Sequence, residues 1–386
     1  MTTLTGLDSL IADDFAPLRG KRVGLMTNPS AVTRDLQSAY QVFRRANGKH
    51  FTLTALFSPE HGFAAAVPDG EKVDSSLDPL SGVPIHSLYG ANFRPTPEMF
   101  ADLDVLVCDI QDIGVRYYTF ASTITYLIEV AGEVGVPVLL LDRPNPLGDA
   151  IDGLRVSEGY QSLVGRFAIP AQHGLTLGEL VRLVNARFNP TPAALTVIPC
   201  RNYQRGQAWE STGLHFVAPS PNMPHLSTAR HYAGSCLIEG TNFSEGRGTS
   251  LPFEICGAPY VNSEMLANAL NTLGLEGVIF RPHAFLPTAS KHKGVTCYGV
   301  QAHITDLARY RPLKVWVGLI KTARALYPEA FEWIAYSERL TIDLLAGSGR
   351  FRQQIEANVP LEDMVAEWDA VAAEFRAESR EFWLYA

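Results

Sequence analysis

The chain is 386 residues long, 46% of them hydrophobic, and carries a formal net charge of −8 at pH 7. Such a chain buries a large core, in two domains or one large one, and is not a disordered or linker-like sequence. The modest acidic balance and the lack of any basic run exclude an extended surface for nucleic acid or an anionic membrane, which leaves a small or neutral partner.

Five cysteines, Cys108, Cys200, Cys236, Cys256 and Cys297, are widely spread with no CxxC pair, and read as reduced, mostly buried thiols. The N-terminus shows no basic leader followed by an apolar core, and no later stretch has the length of a membrane span. The expected compartment is therefore the cytoplasm, although a chain whose export signal had been removed would read the same way.

In chain order, residues 7–15 alternate like a short amphipathic helix, and residues 21–26 read as a first parallel strand ending at Thr27-Asn28-Pro29-Ser30. Asn28 and Ser30 there either touch a ligand or cap the next helix, placed at about 35–46. FTLTALF, residues 51–57, is rich in β-branched and aromatic residues and reads as a strand, followed at once by Ser58-Pro59-Glu60-His61-Gly62. No GxGxxG follows the first strand, so a dinucleotide site loses its main support and no cofactor is expected. Residues 64–97, with Asp69-Gly70-Glu71, read as a long functional loop or lid. DVLVCDI, residues 104–110, suits a central strand and leads into Asp109, Gln111, Asp112 and Arg116, where an Asp–Arg pair either serves the site or pins the loop. Tyr117 and Tyr118 stack on a sugar or pack in the core.

A helix at 122–134 precedes a strand at 136–141, which ends in Asp142-Arg143-Pro144-Asn145-Pro146. Strands separated by helical patterns predict an α/β fold, a Rossmann-like and mostly parallel sheet with helices on both faces and strand ends converging on one crevice. His173 is a ligand contact, a proton carrier or a residue satisfied within the fold. Thr176 with Glu179 forms a capping box for a helix running to about 188. Residues 194–200 read as another strand, and PSPNMP, residues 219–224, as a rigid loop that carries Asn222. Strands at 280–285, 295–300 and 301–304, with helices at 312–327 and 361–377, indicate a smaller C-terminal α+β domain, to which Lys291 and His292 add a polar loop.

The densest polar stretch is EGTNFSEGRGTSLPFE, residues 239–254, with three acids, one arginine and three glycines. Its composition suits a site loop, with a solvated turn as the alternative. The apolar run 234–238 reads as a buried strand feeding Glu239 and Glu245. Glu60 then has a partner: two carboxylates on separate strand-end loops suit glycoside hydrolysis, in which one acid protonates the leaving oxygen while the other acts as nucleophile or as base for water.

SPEHG (58–62), DIQDIGVRYYTF (109–120), DRPNP (142–146), HGLTLGEL (173–180), PSPNMP (219–224), EGTNFSEGRGT (239–249) and IDLLAGS (342–348) resemble, in this order, the family once called DUF1343, the NamZ-type exo-β-N-acetylmuramidases of glycoside hydrolase family 171. The resemblance spans nearly the whole chain. It implies a Rossmann-like domain without a nucleotide cofactor, placed at residues 1–250, a smaller domain at 251–386, and an active site in the cleft between them. It further implies release of N-acetylmuramic acid from the non-reducing end of peptidoglycan fragments, with Glu60 and Glu245 as the catalytic pair and Glu239 in support.

The expected substrate-binding set is Asn28, His61, Asp109, Gln111, Arg116, Tyr117, Arg143, His173, Asn222, Glu239, Asn242, Arg247, Lys291 and His292. The lactyl carboxylate of muramic acid calls for a fixed cation, for which Arg116, Arg247, Lys291 and His292 are the available donors. The competing class is a non-catalytic saccharide-binding protein. A metal site at Glu60-His61 is disfavoured, because no second ligand lies at helical spacing as in HExxH.

Overall fold

A computed structural model describes residues 2–65, 75–89, 93–336 and 338–386. The chain divides into two compact units. One comprises Met1–Ala150, His173–His225 and Glu378–Ala386, the other Ile151–Gln172 and Leu226–Ala377. Residues 226–250, with the whole of EGTNFSEGRGT, fall in the second unit.

The first unit is built on a seven-stranded sheet. Its strands are β1 (Arg22–Thr27), β2 (Thr52–Ser58), β3 (Ser76–Leu77), β4 (Pro84–Ser87), β5 (Val105–Asp109), β6 (Val138–Leu141) and the strand Leu195–Ile198, in the order β3-β4-β2-β1-β5-β6-Leu195–Ile198. All pairings are parallel except β3 with β4. Every residue of β5 and β6 is buried, which explains why they read as continuous apolar runs rather than alternating ones. From β1 the chain moves outward to β2 on one side and returns to β5 on the other, so the strand order reverses between β1 and β5. A crevice at the carboxyl ends follows from that reversal.

Four helices of this unit, α1 (Gly6–Ala12), α2 (Ala39–Ala46), α3 (Thr119–Val134) and α4 (Leu177–Arg187), match expected ones with shifted ends. Helix α2 starts later than 35 because Leu36 is left-handed, at φ 62°, and Ser38 with Gln41 forms the capping box. Thr176 and Glu179 cap α4 as the sequence predicts. The long loop expected at 64–97 instead supplies the short strands β3, at the sheet edge, and β4 beside it; Asp69-Gly70-Glu71 lies outside the described residues. All five cysteines are buried and unpaired.

The second unit holds a three-stranded antiparallel sheet, ordered Ile255–Ala258, Cys297–Ile304, Val278–Phe285, with the helices Ser263–Asn271, Pro312–Leu326 and Leu361–Ser379. The strands expected at 295–300 and 301–304 are thus one strand, Cys297–Ile304. Residues 234–238 are not a strand: they finish the helix Leu226–Ser235 and enter the 3-10 turn Cys236–Gly240. A side-chain carbon at Gly234 would lie 2.2 Å from the Pro312 carbonyl oxygen, so the small residue permits close helix packing. Glu239 and Glu245 therefore do not leave a strand of the parallel sheet.

Candidate active site

In the first unit, the expected site residues gather at the carboxyl ends of the parallel strands. Asn28 follows β1, Glu60 and His61 follow β2, Asp109 and Gln111 end and follow β5, and Arg143 follows β6. Glu60 is buried, at 6% exposure, and Thr119 Oγ1 at the start of α3 donates to its Oε2 at 2.6 Å. His61 and Gly62 both take left-handed backbone, at φ 70° and 78°, so the chain turns sharply just beyond the acid. For a histidine that conformation is costly, and it occurs where the fold holds a functional loop fixed.

The neighbouring polar residues brace the strand ends. Arg143 grips Asp109 with two bonds, Nε to Oδ1 at 2.6 Å and Nη2 to Oδ2 at 2.9 Å, and donates to the Val32 carbonyl. Gln111 donates to the carbonyls of Asp112 and Pro144, and Asp112 accepts from the Gly114 amide. His173 is fully buried, 3.8 Å from Asp112. Asn28 accepts from Ser30 and donates to Pro219, tying PSPNMP to the end of β1. Asn222 on that loop is half-buried, as Tyr117 is not: the tyrosine is 2% exposed. Arg116 is 3% exposed, and burial lowers its pKa to about 10, which leaves it charged at neutral pH.

In the second unit, Glu245 is the centre of a charge cluster. Ser244 and Gly257 exchange backbone hydrogen bonds, which fix Glu245 beside the strand Ile255–Ala258. Its side chain is 2% exposed, with Arg247 Nε 3.2 Å from Oε1 and Lys291 Nζ 2.9 Å from Oε2. Burial alone would raise its pKa, but the charges of Lys291 and Arg247 outweigh that and hold the carboxyl below its ordinary value. Arg247 also donates to Glu239, Nη2 to Oε1 at 2.7 Å, and lies over the Phe253 ring. Asn242 is spent on Ala330, Tyr260 and Glu332, and His292 bonds the Asn242 carbonyl at 2.7 Å.

One expectation changes with this geometry, and one residue is added. Arg247 and Lys291, offered as readers of a substrate carboxylate, are both engaged by the protein's own acids. Thr119 was not singled out as a site residue, although it lies inside the DIGVRYYTF motif; only its contact with Glu60 reveals it.

An α/β protein without a glycine-rich dinucleotide turn, with one carboxyl at the rim of its parallel sheet and a second held ionised by two cations, has the parts of a two-carboxylate glycosidase. The chain belongs to the exo-beta-N-acetylmuramidase NamZ family, whose N-terminal model matches residues 23–227 and whose C-terminal model matches residues 230–385. Peptidoglycan beta-N-acetylmuramidase NamZ of Bacillus subtilis (strain 168) is 42% identical over 382 residues, 99% of this chain and 91% of that protein. A DUF1343 family protein of Bacteroides fragilis NCTC 9343 has a similar crystal structure, with TM-score 0.91 and 36% identity, covering 100% of this chain and 99% of its own. A second such protein from the same organism gives TM-score 0.78 at 29% identity with the same coverage.

Proposed function

We propose that this chain is an exo-acting glycoside hydrolase that releases N-acetylmuramic acid from the non-reducing end of peptidoglycan fragments, with Glu60 and Glu245 as its two working carboxyls. The observation that carries the division of labour is the pairing of buried Glu245 with Lys291 and Arg247. A carboxyl kept ionised in this way suits the nucleophile, the base for water, or the group that stabilises an oxocarbenium-like transition state. Proton donation to the leaving oxygen then falls to Glu60, whose position is set by Thr119. A protein that only bound saccharide would have no use for a buried carboxylate held between two cations, since removing such charges from water is costly.

Among the expected cations we assign Arg116 to the lactyl carboxylate, since it stays charged at neutral pH and follows the strand end that carries Asp109. The small saccharide is the partner, and no nucleic-acid or membrane surface is involved; no helix among the described residues is long and apolar enough to cross a membrane. Five buried, unpaired cysteines support a reducing compartment, which we take to be the cytoplasm.

The test is product analysis. Incubation with oligosaccharides that begin in N-acetylmuramic acid should release that terminal unit as free N-acetylmuramic acid, seen by mass spectrometry. Internal fragments of several sugars, or no release at all, would refute the reading.

A further inference from the structure

We propose that Lys291 is a positioning residue for the reaction: it fixes the Glu245 carboxylate and keeps it ionised, and it does not read the substrate's own carboxylate. The inference rests on Glu245 being a working acid. Lys291 Nζ donates to the carbonyls of Ile238 and Thr241, each at 2.9 Å, and stands 2.9 Å from Glu245 Oε2. Two of these contacts are hydrogen bonds to carbonyls, and the third is an ion pair with the carboxylate. The side chain thus joins the turn Cys236–Gly240, the backbone at Thr241 and the acid at Glu245 through one charge.

The backbone around Lys291 is built for this placement. Ser290 and His292 flank it in left-handed conformations, at φ 62° and 56°, which non-glycine residues rarely adopt. Thr288 binds the Gly248 carbonyl through both its amide, at 3.0 Å, and its hydroxyl, at 2.7 Å. His292 binds the Asn242 carbonyl from the other side. The 288–292 segment is therefore fastened at both ends to the 239–249 loop, and strain is tolerated at the two residues that aim Lys291. Fixed backbone of this kind marks positions whose side-chain direction matters. The lowered pKa of Glu245 agrees with the same geometry.

The experiment is the pH profile of kcat/KM on a chromogenic β-N-acetylmuramide, with Lys291→Met and Lys291→Arg beside the unaltered protein. Lys291→Met should move the acid limb up by about one pH unit, so that on the falling limb, below the unaltered protein's own limb, its loss exceeds its loss near pH 8 by about tenfold. Lys291→Arg, which keeps the charge, should restore the limb. The ratio of muramide to matching glucosaminide turnover should stay the same in both. An unmoved acid limb in Lys291→Met, or a fall in that ratio, would overturn the proposal. If Lys291→Met does not fold, Lys291→Gln supplies the neutral arm. Failure of both to fold, with Lys291→Arg folded, would make Lys291 a fold staple and overturn it equally. Glu245→Gln is run alongside: full activity in that variant would sink the assignment of Glu245 itself, whatever Lys291 does.

Discussion

At the scale of single residues, Thr119 donates a hydrogen bond to Glu60, and Glu245 lies beside two cations, Arg247 and Lys291. Thr119→Val should leave α3 folded and lower kcat several-fold, because a typical hydrogen bond is worth roughly 0.5–1.5 kcal/mol. Steady-state kinetics and circular dichroism check it, and an unchanged kcat would remove Thr119 from the site. The pKa of Glu245 lies below the ordinary carboxyl value, so the charged form is favoured in the folded chain. Its contribution to stability is present above the unfolded pKa of about 4.3 and is lost as pH falls through the lower folded value. Activity that needs ionised Glu245 should accordingly persist below about pH 4.3 before its acid limb appears. Arg247→Ala should slow muramide and glucosaminide hydrolysis alike, since Arg247 acts through Glu239 and Glu245. Arg116→Ala should instead narrow the preference for the muramide, and the ratio of the two kcat/KM values decides between them.

At the scale of elements, the 239–249 loop depends on glycine where the 288–292 segment crosses it. Gly248 has φ 75°, and a side-chain carbon there would lie 2.3 Å from the Ala289 amide nitrogen. Gly248→Ala should cost about 1–3 kcal/mol of stability and displace the segment that carries Lys291. A lowered melting temperature together with a reduced kcat is expected; a variant with unaltered melting and turnover would contradict the packing argument. The parallel strands were legible because a strand buried on both faces leaves a continuous apolar, β-branched run such as Val105–Asp109. Residues 234–238 leave a run of the same kind, yet they end a helix, because apolar content without period does not separate a buried strand from a buried helical turn. Motif and composition pointed to Glu60 and Glu245 as candidate acids. The ion pair between Lys291 and Glu245 left no such signal, since two distant loops are brought together only by the fold.

At the scale of the whole molecule, the first unit is completed by the chain's last residues. Tyr385 donates its hydroxyl to Asp142 Oδ2 at 2.7 Å and accepts from the Cys200 amide at 2.8 Å, while the Arg205 guanidinium lies 4.0 Å above the Trp383 ring. Asp142 ends the run that begins with β6, so the tail braces the same sheet that presents Arg143 and its partner Asp109. Tyr385→Phe should destabilise the protein by about 1.5–3 kcal/mol, read from urea unfolding, because a buried carboxylate loses a donor. No shift in the midpoint would show that the tail is dispensable to the sheet.

The family match over residues 23–385 and the two carboxyl environments meet in one claim, that Glu60 and Glu245 together cleave a terminal β-muramide. The most direct measurement is kcat on a chromogenic β-N-acetylmuramide for the unaltered protein, Glu60→Gln and Glu245→Gln, each shown to be folded. The account predicts turnover by the unaltered protein and a fall of about 10²–10⁴ in each variant, the range expected when a general acid or base is lost. Full turnover in either folded variant, or none in the unaltered protein, would contradict it.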